Sequence, residues 1–85
     1  MTYKIQITET AQKEICKKLD GYLINRLHER VKKLEIEPKI YGKPLRGPLA
    51  GIWEIRFENR WRIFYKVYDS QQLVQIVGLK HKDEM

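Results

Sequence analysis

The chain has 85 residues, 42% of them hydrophobic, and its 17 basic and 11 acidic side chains give a net charge of +6. This length predicts one small domain, residues 1–85, with a thin core. No apolar run is long enough to cross a bilayer and the first residues lack a signal-peptide pattern, so we expect a cytoplasmic protein. The single cysteine, Cys16, excludes an internal disulfide and is expected to be a buried or half-buried apolar residue.

The positive charge lies mainly in the second half of the chain. Residues 38–82 carry nine basic and three acidic side chains, whereas residues 1–37 carry eight basic and six acidic ones. An excess of one sign in one region predicts an anionic partner, because the local field attracts the opposite charge. Both a nucleic acid and an acidic protein fit this distribution.

The first twenty residues predict a strand followed by a helix. Residues 2–8 alternate apolar and polar side chains, as a strand with one buried face does. Ala11, Ile15 and Leu19 then recur every four residues and form one helical face, with Thr8 or Thr10 available as the N-terminal cap. The Asp-Gly dipeptide at 20–21 ends this pattern.

A second helix is predicted from about Tyr22 to Glu37, where Pro38 stops it. Almost nothing joins the two helices, so they are expected to form an antiparallel helical hairpin. His28 lies beside the apolar stripe and is expected at the surface. The predicted core includes the apolar faces of the first strand and this helix: Ile5, Ile7, Leu23, Leu27, Val31 and Leu34.

The second half predicts a loop and three strands. Residues 38–51 are rich in glycine and proline and predict a loop. Residues 51–68 form two runs of β-branched and aromatic residues around a polar turn at 58–60, which is typical of a hairpin. Residues 73–79 supply a further strand. One face of the hairpin carries Trp53, Ile55, Phe57, Trp61, Ile63, Tyr65 and Val67, and the other carries Glu54, Arg56, Arg62, Phe64, Lys66 and Tyr68.

The resulting order, β-α-α-β-β-β, predicts an α+β domain whose helical hairpin packs on one face of a small antiparallel-rich sheet. One face of the β-hairpin must join the core, and the other stays open. A basic face interleaved with aromatic rings suits a polyanion whose bases can stack. The alternative is a solvated face whose charges serve only solubility.

Several motifs follow one another in the second half. They are a Leu-Arg-Gly loop at 45–47, a Trp-Glu-Ile-Arg strand at 53–56, a Trp-Arg-Ile-Phe-Tyr strand at 61–65 and an Ile-Val-Gly strand that closes on His-Lys at 81–82. Together they resemble the RelE/ParE superfamily of toxins from toxin–antitoxin systems. The resemblance covers essentially the whole chain and implies the RelE-like fold. RelE-like members cut messenger RNA in the ribosomal decoding site, ParE-like members inhibit DNA gyrase, and some members are inactive.

The RelE-like branch is favoured, and it implies a metal-independent endoribonuclease that cleaves mRNA on the ribosome, inhibits translation and serves the stress response. Such cleavage needs a base for the 2′-hydroxyl, cations for the phosphate and an acid for the leaving oxygen. The alternatives are a ParE-like gyrase inhibitor, an inactive binding protein of the same fold, or a plain RNA-binding module. The implied partners are the ribosome, mRNA and an acidic, partly disordered RelB-like antitoxin.

Basic residues at positions that match the RelE-like pattern are predicted to form the site. Arg62 is the predicted main phosphate-stabilising residue, because a guanidinium keeps its charge and can grip two phosphate oxygens. Its cross-strand neighbours are expected to include Arg56 or Glu54. The catalytic candidates are Arg62, Arg56, Arg46, Glu54 and His81. The RNA-binding candidates are Lys43, Arg60, Lys66, Lys80 and Lys82.

Two departures from the family pattern leave alternatives open. Glu54 stands where RelE-like enzymes often carry a lysine, and it is either a general base or an ion-pair partner of Arg56 or Arg62. The family often closes on a tyrosine shortly after the His-Lys pair, whereas the sequence reaches Met85 without one. Either that tyrosine lies beyond Met85, or His81, whose imidazole works as an acid or a base near neutral pH, takes its role.

No metal site and no small-molecule cofactor are predicted. His28, His81, Cys16 and the scattered carboxylates show no ligand spacing on one helix or turn. The glycines at 42, 47 and 51 lack the Lys-Ser/Thr pair and the helix of a phosphate-binding loop. The expected chemistry therefore uses side chains alone, and no membrane partner is expected.

Overall fold

The computed structural model describes residues 2–84, with the backbone alone at Leu49 and Glu84. The elements are β1 (Lys4–Ile7), α1 (Glu9–Lys18), α2 (Gly21–Lys32), β2 (Lys43–Pro44), β3 (Trp53–Phe57), β4 (Trp61–Tyr68) and β5 (Leu73–His81). Within these residues the strands form one five-stranded sheet in the order β1-β5-β4-β3-β2. β1 runs parallel to β5, and the other pairings are antiparallel. The predicted α+β class is confirmed. Whether the chain has the family's closing tyrosine is a question that falls outside the described residues.

Both helices begin at a side-chain cap. The Thr8 hydroxyl accepts a hydrogen bond from the Ala11 amide at 3.2 Å, and the Asp20 carboxylate accepts one from the Leu23 amide at 2.9 Å. These caps satisfy amides that the first helical turn leaves without an intrahelical partner. Thr8 is therefore the cap of α1, which ends at Lys18 with Leu19 as its C-terminal cap, and Asp20 is the cap of α2.

The second helix ends earlier than the predicted residue 37. α2 stops at Lys32 and continues as a single 3-10 turn over Lys33–Glu35. The carbonyl at the end of this turn accepts a hydrogen bond from the Tyr3 amide, just ahead of β1, at 2.6 Å. The Glu35 carbonyl, which has no amide partner within the helix, is thereby satisfied by β1's end of the chain.

The core lies between the helices and the sheet face that carries the Trp53 set of side chains. The predicted core residues are buried at Leu27, Val31 and Leu34 and partly buried at Ile5, Ile7 and Leu23. Further buried residues come from α1, its C-terminal cap and three strands: Ala11, Ile15, Leu19, Ile55, Phe57, Ile63, Tyr65, Val74, Ile76 and Leu79. Both helices contribute to this one core. We define the opposite sheet face, which carries Arg62, as the open face.

A β-bulge interrupts the pairing between β4 and β5. Tyr65 of β4 pairs with Ile76, whereas the preceding Phe64 pairs with Gly78, so that Val77 has no Cα partner in β4. The extra residue shifts the alternation of side chains in β5 by one position.

The bulge decides which side chains at the end of β5 reach each face. Leu79 pairs with Ile63, and both side chains are fully buried. Lys80 pairs with Arg62 and lies on the open face. The last part of β5 therefore supplies one residue to the core and the next to the open face.

The loop predicted at 38–51 contains a short strand, so the observed order is β-α-α-β-β-β-β. β2 pairs with only the first two residues of β3, and Pro44 is tolerated because an edge strand does not need every amide. Two residues are too few to show an alternating pattern in the sequence. Beyond β2, the Arg30 guanidinium donates to the Arg56 carbonyl at 3.1 Å and occupies part of the uncovered edge of β3.

The burial predicted for Cys16 is wrong, because this side chain is exposed. Successive helical residues are turned by about 100°, so the position after Ile15 points away from the buried stripe of α1. The Cys16 thiol accepts a hydrogen bond from the Gln12 amide group at 3.6 Å. His28 is exposed, as predicted.

Tyr65 fixes the segment between α2 and β2 to the core. Its side chain is fully buried, and its hydroxyl donates to the Pro38 carbonyl at 2.5 Å. Burial raises the pKa of Tyr65 to about 12, so the hydroxyl stays protonated and remains a donor at neutral pH. Gly42 packs against this hydroxyl: a Cβ there would overlap it and lie 3.0 Å from the Glu54 carbonyl oxygen.

We expect Gly42→Ala to lower the free energy of unfolding by about 1–3 kcal/mol, because the added methyl forces Tyr65 or the loop to move. Gly21→Ala is the matched control, since a Cβ at that position meets nothing within 4 Å. The control is expected to be neutral or to stabilise by up to about 1 kcal/mol. Urea denaturation followed by tryptophan fluorescence measures both variants. Equal stability of the two would contradict the packing of Gly42 against Tyr65.

Candidate nucleic-acid interface

Three cations lie side by side on the open face, one from each of three adjacent strands. Arg56 of β3 pairs with Arg62 of β4, which pairs with Lys80 of β5. We define these three residues as the cation row. Adjacent strands lie about 4.8 Å apart, so the row spans about 10 Å. Among the described side chains, no ion pair includes Arg56 or Lys80.

The central member of the cation row is held by a carboxylate. Arg62 Nε lies 2.9 Å from Glu54 Oε1, and the two side chains are only 17% and 21% exposed. A second guanidinium nitrogen of Arg62 donates to the Trp61 carbonyl at 3.3 Å. Partial burial strengthens such a pair relative to a solvated one, and the two bonds together fix the direction of the guanidinium. Glu54 is therefore a partner of Arg62, and its role as a general base stays a prediction.

Three further predicted cations surround the row. Lys43 lies in β2, opposite Glu54 on the open face. Lys66 lies four residues beyond Arg62 on the same face, about 13 Å further along β4. Arg46 follows β2 and is exposed. The structure therefore places these cations around the row without bringing them into it.

The end of the sheet carries the remaining candidates. Arg60 lies in the β3–β4 turn, and its carbonyl accepts a hydrogen bond from the Lys82 amide at 2.7 Å. His81 meets the Trp61 ring edge-on, with ring centroids 4.9 Å apart, and its Nδ1 lies 3.4 Å from Asp83 Oδ2. Because Trp61 belongs to the core face, the structure does not bring His81 to the cation row. The acid–base role of His81 stays a prediction.

An apolar pocket beside the cation row was not predicted from the sequence. Its volume is about 240 Å³, and Lys80 stands at its boundary. Phe64 is the one residue without a polar side-chain atom that the hairpin places on its open face, and it is the sequence signal that marks this pocket. The pocket is lined mainly by Glu14, Leu45, Ile52, Phe64, Val77 and Gly78.

The open face thus combines fixed cations, one carboxylate and an apolar pocket. Fixed guanidinium and ammonium groups bind phosphate and stabilise negative charge that develops on it. Within residues 2–84, no three side chains of His, Cys, Asp or Glu are grouped so that they could hold a metal ion. No helix in the same part of the chain has the length and apolar character needed to span a membrane.

Known proteins share both the sequence pattern and this fold. The family described as "ParE toxin of type II toxin-antitoxin system, parDE" matches residues 5–85. "Toxin RelG" from Mycobacterium tuberculosis is 29% identical over the whole chain and 97% of its own length. A chain of the RelBE2 toxin–antitoxin complex from the same organism has a TM-score of 0.88 and 30% identity, covering 96% of this chain and 93% of that one. A chain of the intact Escherichia coli RelBE complex has a TM-score of 0.78 and 24% identity, with coverages of 93% and 95%, and shows the fold alone.

A two-helix, mixed-sheet domain with these relatives defines a toxin of the RelE/ParE superfamily. The chain belongs to the ParE toxin family and is a toxin of a type II toxin–antitoxin system. The resemblance and the RelE-like fold predicted from the sequence are therefore confirmed.

We expect Arg56→Gln to stabilise the fold and to weaken polyanion binding at the same time. Removing one of two facing guanidinium groups relieves a repulsion of about 0.2–1 kcal/mol. Loss of one phosphate contact lowers the salt dependence of RNA binding by about 0.7 in the slope of log K against log salt. Urea denaturation and RNA binding at several salt concentrations measure the two effects.

Arg60→Gln is the control for the gain in stability only, because Arg60 is itself an RNA-binding candidate. It removes the same charge from an exposed turn and leaves the cation row intact. We expect no comparable gain in stability from it. A loss of stability in Arg56→Gln would contradict the repulsion within the cation row.

Proposed function

We propose that this toxin is a metal-independent endoribonuclease that cuts mRNA on the ribosome and thereby inhibits translation under stress. The observation that carries the proposal is the cation row with Arg62 held at its centre by Glu54. RNA cleavage builds negative charge on a phosphate, and cations fixed before the reaction stabilise that charge best. Action on the ribosome places the protein in the cytoplasm.

The proposed roles follow from position in the row. Arg62 binds the scissile phosphate, because its oriented guanidinium can donate to two oxygens. Arg56 and Lys80 flank it and balance the remaining charge. The three cations repel one another in the free protein, and a bound phosphate removes that repulsion. Glu54 orients Arg62 in the free protein. Once a phosphate binds the guanidinium in place of Glu54, the released carboxylate can accept the 2′-hydroxyl proton.

The outer cations fit a supporting role. Lys43, Arg46 and Lys66 surround the row on its open side and suit the phosphates of flanking mRNA or ribosomal RNA. Arg60 and Lys82 extend the positive surface past the end of the sheet. His81 is the acid candidate for the leaving oxygen, and it requires the end of β5 to reorient on the ribosome, because the side chain starts on the other face.

A gyrase inhibitor is the second candidate, because the family that matches this chain is that of ParE toxins. On this hypothesis the basic open face binds a protein surface and performs no chemistry. Mapping mRNA ends after expression, alongside a supercoiling assay with purified gyrase, separates the two functions. New mRNA ends within codons support the endonuclease, whereas lost supercoiling with intact mRNA supports the gyrase inhibitor.

We propose an acidic, partly disordered antitoxin as the neutralising partner. Similar chains occur in toxin–antitoxin complexes from Mycobacterium tuberculosis, Escherichia coli and Pyrococcus horikoshii. The region 38–82 supplies the charge, with nine basic against three acidic side chains. An amphipathic helix or an added strand carrying Asp and Glu would cover the cation row and exclude RNA from it.

We expect Arg62→Ala to reduce cleavage of ribosome-bound mRNA by about a hundredfold or more, because the transition state loses its central cation. Primer extension on ribosomes stalled at a defined codon measures the rate, and circular dichroism checks the fold. Lys17→Ala is the matched control, since it removes one exposed cation from α1 and is expected to cut at the wild-type rate. A folded Arg62→Ala protein that cuts as fast as wild type would refute this role.

We expect reversal of Arg46, Arg56 and Arg62 to Glu to abolish antitoxin binding, because an acidic partner then meets like charge. Isothermal calorimetry with the antitoxin encoded beside this toxin measures the affinity. The control reverses three exposed helix lysines and changes the net charge equally: Lys13, Lys17 and Lys32. Equal affinity of the two triple variants would show that the antitoxin does not use the cation row.

A further inference from the structure

Apart from Lys80, the apolar pocket beside the cation row is built by side chains that the proposed cleavage does not use. It opens on the same face as the row and has a volume of about 240 Å³. Leu45, Ile52, Phe64 and Val77 line it, and each of these side chains is half-buried. In a small domain, apolar side chains of this size normally pack against one another or against a ligand.

The space exists because Gly78 has no side chain. A Cβ at this position would lie 3.7 Å from Glu14 Oε1 and 3.9 Å from Phe64 Cδ2, which are ordinary contact distances. Gly78 is also not among the residues with positive φ. Neither a clash nor the backbone conformation therefore demands glycine here, and a larger residue would fill the pocket between Glu14 and Phe64.

One wall of the pocket carries a fixed hydrogen-bond acceptor. Glu14 Oε2 lies 3.4 Å from Lys18 Nζ, and the Glu14 side chain is 29% exposed. Lys18 also donates to the Leu79 carbonyl at 3.4 Å, which ties this pair to β5. The other carboxylate oxygen, Oε1, faces the position of Gly78. A ligand in the pocket would thus meet apolar walls, one aromatic ring and one carboxylate oxygen.

The pocket and the cation row are neighbours along the same strands. Phe64 lies two residues after Arg62 in β4, and Gly78 lies two residues before Lys80 in β5. Two residues of a strand span about 7 Å, so both features fit within one nucleotide and its neighbouring phosphate. Lys80 belongs to both, since it is part of the row and also lines the pocket.

We propose that this pocket binds one RNA base next to the phosphate on the cation row, and that Glu14 selects bases with an exocyclic amino group over uracil. The Phe64 ring and the apolar walls receive the flat face of the base. Glu14 Oε1 accepts a hydrogen bond from the amino group of cytosine, adenine or guanine. Uracil presents carbonyl oxygens in place of an amino group, and these face the carboxylate unfavourably. The inference rests on the proposed function for its ligand, and it concerns binding rather than cleavage.

Uncleavable 2′-O-methyl RNA trinucleotides, with each position varied in turn, test the inference by fluorescence anisotropy. At one of the three positions of the trinucleotide, the wild-type protein is expected to bind cytosine, adenine and guanine about tenfold more tightly than uracil. Glu14→Gln is expected to lose this preference, because an amide both donates and accepts. Gly78→Val is expected to weaken binding of all four bases roughly tenfold, since its methyl groups occupy the pocket, and Gly78→Ala to produce a smaller loss.

Glu9→Gln and Gly21→Ala are the matched controls, because both positions are exposed and outside the pocket lining. Both are expected to keep the wild-type base preference. Circular dichroism confirms that every variant folds, and Gly78→Ala provides a mild substitution should Gly78→Val unfold.

The outcomes separate this pocket from the proposed cleavage. Equal binding of all four bases, or wild-type binding by the Gly78 variants, overturns the base pocket and leaves the role of the cation row intact. A base preference in a protein that cuts no mRNA keeps the pocket and refutes cleavage. Calorimetry measures whether the Gly78→Val variant still binds the antitoxin. If this variant loses affinity for the antitoxin but binds RNA like the wild type, the pocket receives an apolar side chain of the antitoxin. That result also overturns the base pocket.

Discussion

The β-bulge in β5 is the constraint on which both faces of the sheet depend. If β5 kept strict alternation through Val77 instead of forming the bulge, Lys80 would lie on the same face as Ile76, which is fully buried. A buried, unpaired ammonium is among the most costly groups that a small core can contain. With the bulge, Lys80 instead joins Arg62, and Gly78 lies where any side chain would fill the pocket. One inserted residue therefore shapes the core, the cation row and the pocket together.

The Glu54–Arg62 pair sets the electrostatic balance of the open face. Three facing cations destabilise a sheet, and a carboxylate bonded to the middle one offsets part of that repulsion. Glu54 thereby acts as an internal counter-ion in the free protein. Any incoming anion, whether an RNA phosphate or a carboxylate of an antitoxin, competes with it for the same guanidinium. The pair that stabilises the free fold thus also sets how strongly an anion must bind in order to displace it.

Local patterns in the sequence predict most of this fold, because alternation and helical periodicity depend only on near neighbours. The pairing of Arg56 with Arg62 is predictable for the same reason, since a short turn fixes the register of the hairpin. Non-local contacts account for the differences. The 3-10 turn that follows α2 is tied to the start of the chain through the Tyr3 amide and the Glu35 carbonyl, and β2 is too short to leave a pattern. The place of Lys80 depends on a bulge, for which Gly78 within the strand is only a non-specific signal, and the pocket joins α1 to β5, which are far apart in the chain.

The strand order also sets when during synthesis this surface is completed. β5 is the last strand of the described chain, yet it lies inside the sheet between β1 and β4. Lys4 pairs with Leu73, so the sheet closes only by joining nearly opposite ends of the domain, and such long-range pairing forms slowly. A nascent chain that has released only its helices and hairpin has neither a closed core nor Lys80. The finished open face, on which the proposed activity depends, therefore arises only after β5 has left the ribosome that makes it.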